Sequence, residues 1–277
     1  MRMFFALLML AVLAGCRGVN EKVAKVLPAP SMPSNDRNWI TAHRVMPYAK
    51  IGSKDVTVYN IRNFEYITER DVIPRYYDKR IKLEDVKTVD LIVTPFTPNS
   101  LLAHTMVSFG MSNGEHLAVS VEARLENGET YSPIDGAAQQ FELMYVLADE
   151  RDVVRLRTDV RKNDVYVYRA EATPQQVQAL FLDVMERVNQ LREDPEFYDT
   201  LTNNCTSNIV QHINKLKPDS IPYDARMLLT SLSPNVAYDL NLIERRGSFE
   251  ETKRQAYVSE RARLYRDAPD FSDRIRR

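Results

Sequence analysis

From Val56 to Ala170 the apolar residues come in short β-branched runs; from Thr173 onward they recur at three- and four-residue spacing. Side chains alternate across a strand but repeat every 3.6 residues on a helix. A chain that changes period once lays down a sheet first and covers it with helices afterwards. That order predicts an α+β fold, a mainly antiparallel sheet packed with helices. The expected strands are Val56 to Ile61, Val89 to Pro95, His104 to Gly110, Glu115 to Arg124, Phe141 to Leu147, Val153 to Thr158 and Val165 to Ala170. Ala148 to Asp152 reads as a hairpin connection between the fifth and sixth of them. Thr173-Pro174-Gln175-Gln176 opens a long helix, since Thr173 can cap, Pro174 fits the first position and Gln176 completes a capping box. Its residues Val177, Leu180, Phe181, Val184, Met185, Val188 and Leu191 share one face, and Asp194-Pro195 stops it. A second helix is expected from about Cys205 to Leu216.

The N-terminus points to export. Arg2 precedes an uninterrupted apolar run from Met3 to Leu13, too short to cross a bilayer comfortably and typical of a signal-peptide core. It ends in Leu13-Ala14-Gly15-Cys16, the pattern that precedes the acylated cysteine of bacterial lipoproteins. An ordinary cleaved leader is the alternative, and the LAGC tetrad favours the lipoprotein. The expected organisation is a signal peptide over 1–15 and a flexible tether over 16–36 carrying lipid on Cys16. A domain over 37–245 and a charged, exposed helix with a frayed tail over 246–277 follow. Two or three acyl chains on Cys16 suffice for stable membrane anchoring, and Arg17, where an Asp would retain the chain at the inner membrane, favours the outer one.

Composition narrows the classes of function. The chain carries 37 basic and 38 acidic side chains, which gives nucleic acid no footing. No zinc-type ligand spacing, Gly-rich phosphate loop or G-x-S-x-G elbow occurs, so neither a metal nor a cofactor is expected.

The clearest local inference concerns the hairpin around Ser112-Asn113-Gly114. A three-residue loop with Gly114 left-handed pairs Met111 with Glu115 and brings His104 opposite Glu122. It also gathers Val107, Phe109, Leu117, Val119 and Val121 on one face and His104, Ser108, Ala118, Ser120 and Glu122 on the other. A two-residue loop would mix the sets, so hydrophobic segregation selects the first register. A carboxylate so placed can orient an imidazole and stabilise its charged form; a cross-strand charge pair on a solvated face is the plainer reading. His43, His116 and His212 read as surface or capping residues.

If lipid consumes Cys16, Cys205 is the one thiol remaining, and no internal disulfide is available to it. In Leu201-Thr202-Asn203-Asn204-Cys205-Thr206, either asparagine can cap, which puts the thiol in the first helical turn. There the free N–H groups and the dipole favour thiolate. Those amides, with Asn203, Asn204 and Thr206 and with Ser108 and Ser120 as support, are candidates to hold a developing oxyanion. A small buried hydrophobe beside Ile209, Ile213 and Leu216 is the competing reading; the polar flanks favour the nucleophile.

The order AHTMVSFG, VSVEAR, then YSP through FELMYVLADERDVVRLRT, then PEFYDTLTNNCTSN resembles the Lnb N-terminal periplasmic domain family over roughly residues 55–245. The resemblance implies a circularly permuted papain-like (NlpC-type) architecture, in which the histidine strand precedes the nucleophile helix. It implies a periplasmic thiol enzyme with Cys205 as nucleophile, His104 as general base and Glu122 as the group that orients it. The implied reaction passes an acyl group from phospholipid through a thioester to a lipoprotein, although the membrane-spanning part of the larger family members has no counterpart here. An NlpC-type peptidoglycan or peptide amidase, or a non-catalytic envelope lipoprotein with Cys205 merely packed, are the alternatives. The residues leave open whether Arg124, Arg157 and the Asp149–Asp152 turn line a site or brace it.

Overall fold

The computed structural model describes residues 32–222 and 224–277. The predicted leader, Cys16 and nearly all of the tether therefore lie outside the described residues. In chain order the strands are β1 (Tyr48–Ile51), β2 (Asp55–Arg62), β3 (Glu65–Tyr66), β4 (Val72–Ile73), β5 (Tyr76–Lys82), β6 (Val86–Pro95), β7 (Ala103–Met111), β8 (His116–Arg124), β9 (Glu142–Asp149) and β10 (Tyr166–Arg169). The helices are α1 (Pro133–Ala137), α2 (Glu150–Arg155), α3 (Pro174–Glu193), α4 (Cys205–Leu216), α5 (Ser233–Asp239), α6 (Phe249–Ala256), α7 (Ser259–Leu264) and α8 (Phe271–Arg274). A π-helical turn, Leu156–Val160, follows α2.

The main sheet runs β1-β2-β9-β8-β7-β6-β10, with β5 paired to β2 off this path, while β3 and β4 form a separate hairpin. Its pairs are antiparallel except where β2 meets β9 at Arg62 and Ala148. The fold class is thus α+β with a mostly antiparallel sheet. The central hairpin has the register that hydrophobicity selected: Met106 faces Ser120, Val107 faces Val119 and Phe109 faces Leu117. Met111 N–H donates to Glu115 O at 2.9 Å, closing a three-residue loop. Gly114 takes φ +82°, where an L side chain is strained.

One face of the central hairpin carries a continuous apolar cluster. Val107, Phe109, Leu117, Val119 and Val121 pack under Val177, Phe181, Val184, Met185 and Val188 of α3. Phe109 and Phe181 meet edge-on with centroids 5.2 Å apart, each burial contributing about 2–3 kcal/mol. The capping box predicted at Thr173 and Gln176 starts α3, with Pro174 in its first turn.

The plainer reading of the second face, a solvated one, does not hold. Met106, Ala118, Met144 and Val146 pack there against Val153 and Val154 of α2 and against Val258, Ala262, Phe271 and Ile275 of the C-terminal helices. Strand β7 is therefore buried at every residue. Two expectations fail for the same reason. Val153 to Thr158 is not a strand: Asp149 accepts the Arg151 N–H at 3.0 Å and caps a helix instead. Residues 246–277 are not a frayed tail, since Phe271 is 2% exposed and Ile275 is 0% exposed. Docking also begins earlier than expected: Ser34 N–H donates to Glu142, and the Asn35 amide donates to the Leu191 and Arg192 carbonyls.

Candidate active site

His104 stands near the start of β7, Glu122 near the end of β8, and Cys205 is the first residue of α4. The helix start is registered against the strand start by a pair of neighbours: the hydroxyls of Thr105 and Thr206 are 3.0 Å apart. Asn204 caps the helix, its Oδ1 accepting the N–H groups of Thr206 and Ser207, both at 2.9 Å. Ser207 Oγ accepts the Asn204 N–H in return at 2.8 Å, completing a capping box.

His104 reaches Glu122 as the register required, but mostly through Ser120. Its Nε2 lies 2.6 Å from Ser120 Oγ and 3.3 Å from Glu122 Oε1. Ser120 Oγ donates its single proton to Glu122 Oε1 at 2.6 Å. The serine oxygen must then accept from the ring, which puts an imidazole proton on Nε2. Arg157 Nη2 also donates to Glu122 Oε1, at 3.1 Å.

These contacts set the ionisation of the pair. Burial opposes the charged form of His104, but the charge of Glu122 and hydrogen bonds to Cys205 and Glu122 carry its pKa up to about 9. Burial likewise pushes the Cys205 thiol up, yet the hydrogen bond and charge of His104, with help from Thr105, bring it down to about 7. Glu122 would rise on burial; His104, then Arg157 and Ser120, hold it well below the ordinary carboxylate range. Between pH 7 and 9 the favoured state is therefore thiolate beside imidazolium.

Cys205 and His104 open on a cavity of about 510 Å³ whose wall includes Arg157, Tyr66, Phe96, Tyr131 and Tyr198. Within the first turn of α4, Thr206 and Ser207 spend their N–H groups on Asn204. The Cys205 N–H has no acceptor among the described residues and is the backbone donor left for an oxyanion.

The other expected support residues divide. Ser120 belongs to the site as the link between His104 and Glu122. Asn203 does not serve the thiol: its amide donates to Phe197 O at 2.9 Å and its Oδ1 accepts from Asn208, bracing the loop. Asn204 lines the cavity, but its side chain caps the helix and donates to Thr200 O at 2.7 Å. Thr206 faces Thr105. Ser108 belongs to a different cluster, donating to Glu150 Oε1 at 2.6 Å. Distance along β7 explains this, since residues four apart on one face are separated by about 13 Å.

Arg124 braces: it lies over the Trp39 ring, 4.0 Å from its centroid, and donates to His43 O and Asn35 Oδ1. Asp152 of the 149–152 turn braces as well, accepting from Arg62, the Phe64 N–H and the Tyr66 hydroxyl. The histidines read as surface or capping groups are enclosed. His43 accepts the Leu125 N–H at 2.9 Å, and His212 bonds Asp183 at 2.6 Å and the Tyr145 hydroxyl at 2.8 Å. Their spacing carried no hint of this, because the covering elements come from elsewhere in the chain.

Asp90, His116 and Glu150 present ligand atoms within 4.8 Å of one another. Arg276 already donates to both carboxylates and Arg169 to Asp90, so guanidinium groups supply the positive charge there. Among the described residues no helix is long and apolar enough to cross a membrane.

Neither the curated proteins nor the solved structures yield a match to this chain. The profile of the Lnb N-terminal periplasmic domain does match, over residues 73–231, a span that holds His104, Ser120, Glu122, Arg157 and Cys205. It covers more than half of the sequence, and the chain therefore belongs to the Lnb N-terminal periplasmic domain family and is a periplasmic protein.

Proposed function

We propose that this protein is a thiol acyltransferase or hydrolase acting on lipid or lipoprotein acyl groups. The observation that carries the reading is the chain Cys205–His104–Ser120–Glu122, whose thiol, imidazole and carboxylate all line one cavity. His104 takes the thiol proton, and the Cys205 sulfur attacks an ester carbonyl. The tetrahedral oxyanion is held by the Cys205 N–H. As the C–O bond breaks, imidazolium returns the proton to the leaving alkoxide, and the acyl group remains as a thioester. An amine or water then attacks, giving its proton to His104, and the thiol is restored when the C–S bond breaks. The order of histidine strand before nucleophile helix fits the circularly permuted papain-like arrangement that family members resemble.

A lipid substrate is favoured over a peptide by exposed apolar side chains on the segments that line the cavity. Ile67, Phe96, Leu101, Ile134 and Leu201 are exposed large apolar side chains. Phe96 lines the cavity, and so do Tyr66, Leu102 and Thr200, the chain neighbours of Ile67, Leu101 and Leu201. Ile134 follows Pro133, whose carbonyl accepts from Thr200 Oγ1. We propose further that lipid on Cys16 anchors the protein at the periplasmic side of the envelope, in the outer membrane. The test is incubation of the full chain with phospholipid followed by intact mass spectrometry. A hydroxylamine-labile acyl adduct, absent in Cys205→Ser, is expected. Cleavage of muropeptides without any adduct would replace acyl chemistry by amidase chemistry. A thiol that resists alkylation until unfolding would sink both, leaving a binding module.

A further inference from the structure

Arg157 is enclosed in the cavity wall and only partly used. It stands on the π-helical turn and is 2% exposed. Its Nη2 donates to Glu122 Oε1 at 3.1 Å, but Nε and Nη1 are buried and meet no acceptor. The arginines near it are provided for. Arg62 gives Nε and Nη2 to Asp152 Oδ1, and Arg161 gives Nε to Glu69 at 2.7 Å. Arg157 has only a share of Glu122, which also accepts from Ser120 and faces His104.

A guanidinium cannot relieve burial by losing its proton, so its donors must be met by oxygen. Water can meet them, and so can a ligand in the cavity that Arg157 and Cys205 both line. Planar guanidinium donors match the oxygens of phosphate and carboxylate in both geometry and charge. A π-helical turn at this point is also a recurrent mark of functional sites, because its wider turn redirects side chains.

We propose that Arg157 binds an oxyanion carried by the substrate, a phosphate diester or a carboxylate, and thereby sets the scissile ester against Cys205. The second clause rests on the thiol-enzyme reading; the anion site itself does not. The substrate is then an acyl compound bearing negative charge close to its reacting carbonyl, and a neutral acylglycerol is a poor one.

The experiment uses the full chain carrying Cys205→Ala, so that binding is measured without turnover. Calorimetric titration compares dihexanoylphosphatidylglycerol, hexanoate and the neutral dihexanoylglycerol. Arg157→Gln, which can still bond Glu122, is expected to weaken one or both anionic ligands by about tenfold to a hundredfold. Dihexanoylglycerol affinity is expected to stay unchanged, and whichever anion loses affinity identifies the oxyanion. Equal weakening of charged and neutral ligands, or no weakening, overturns the proposal and leaves Arg157 satisfied by water alone. Should Arg157→Gln fail to fold, the Arg157 Nε–H resonance of the Cys205→Ala chain decides. It is expected to move with the anionic ligand and to stay in place with the neutral one; no movement with either anion overturns the site. Selective anion binding without any adduct on Cys205 in the native chain would keep the anion site and reject the thiol enzyme.

Discussion

Helix α4 has a buried histidine with a carboxylate partner at two points along it, and the two behave oppositely. His104 faces its first residue, Cys205, and is held by Ser120 and Glu122; its pKa is raised to about 9. His212 lies two turns along the helix, bonded to Asp183 on one nitrogen and to the Tyr145 hydroxyl on the other, and its pKa is lowered. Burial disfavours the imidazolium in both cases and is the largest influence on each. At His104 two anions oppose it, Glu122 and the Cys205 thiolate. At His212 the single carboxylate is shared with Lys215, and the second nitrogen meets a neutral phenol. A carboxylate partner therefore does not by itself make a histidine basic; the neighbouring thiol completes the effect.

The largest test of that contrast is alkylation by iodoacetamide at pH 7. His104→Ala is expected to slow reaction of Cys205 roughly a hundredfold, because the thiol returns toward or above its ordinary pKa. His212→Ala should leave the rate within about threefold and instead lower stability by about 1–3 kcal/mol, because it removes the hydrogen bonds to Asp183 and Tyr145. Similar slowing in both variants would remove the distinction. Native Cys205 reactivity should rise with a midpoint near pH 7, where the thiol titrates. Glu122→Gln takes away the main charge that supports imidazolium, so that midpoint should move up and the rate at pH 7 fall about tenfold. An unmoved midpoint would assign the depression of the thiol to the helix start rather than to the histidine.

Smaller effects separate the helix from its ends. Asn204→Ala removes the cap and is expected to cost about 1 kcal/mol in urea unfolding, with the thiol profile shifted less than by Glu122→Gln. The smallest expected effect is on stability against pH. His104 has a folded pKa above its unfolded value, so its contribution is complete below about pH 6.5 and is lost as pH rises through about 9. His212 has a folded pKa below its unfolded value, so its contribution is present above that value and lost as pH falls. Denaturation midpoints of His104→Gln should flatten the alkaline side alone and those of His212→Gln the acidic side alone.

Which parts were readable follows the range of the forces involved. The His104–Glu122 pairing could be read from Val107, Phe109, Leu117, Val119 and Val121, because a turn of three residues and a buried face fix register locally. Ser120 was on the correct face, but its place between His104 and Glu122 depends on rotamers. The Val153 to Thr158 segment was misread because short β-branched runs suit a buried helix as well as a strand; the Asp149 cap was the available signal. The C-terminal segment was misread because its charges obscured two apolar pairs at i,i+4, Val258 with Ala262 and Phe271 with Ile275.

Short-range patterns specify the α+β class, the central register, the two capped helices and a thiol at a helix start. Each is set by contacts among residues close in the chain, where hydrogen-bond geometry and side-chain period leave few options. Long-range packing brings Cys205 and His104 to one cavity, buries the polar sheet face beneath α2 and the C-terminal helices, and takes Arg157 to Glu122 with donors to spare. Those contacts join residues 35 to 186 positions apart. They arise from how three layers close over one another, which no local pattern encodes.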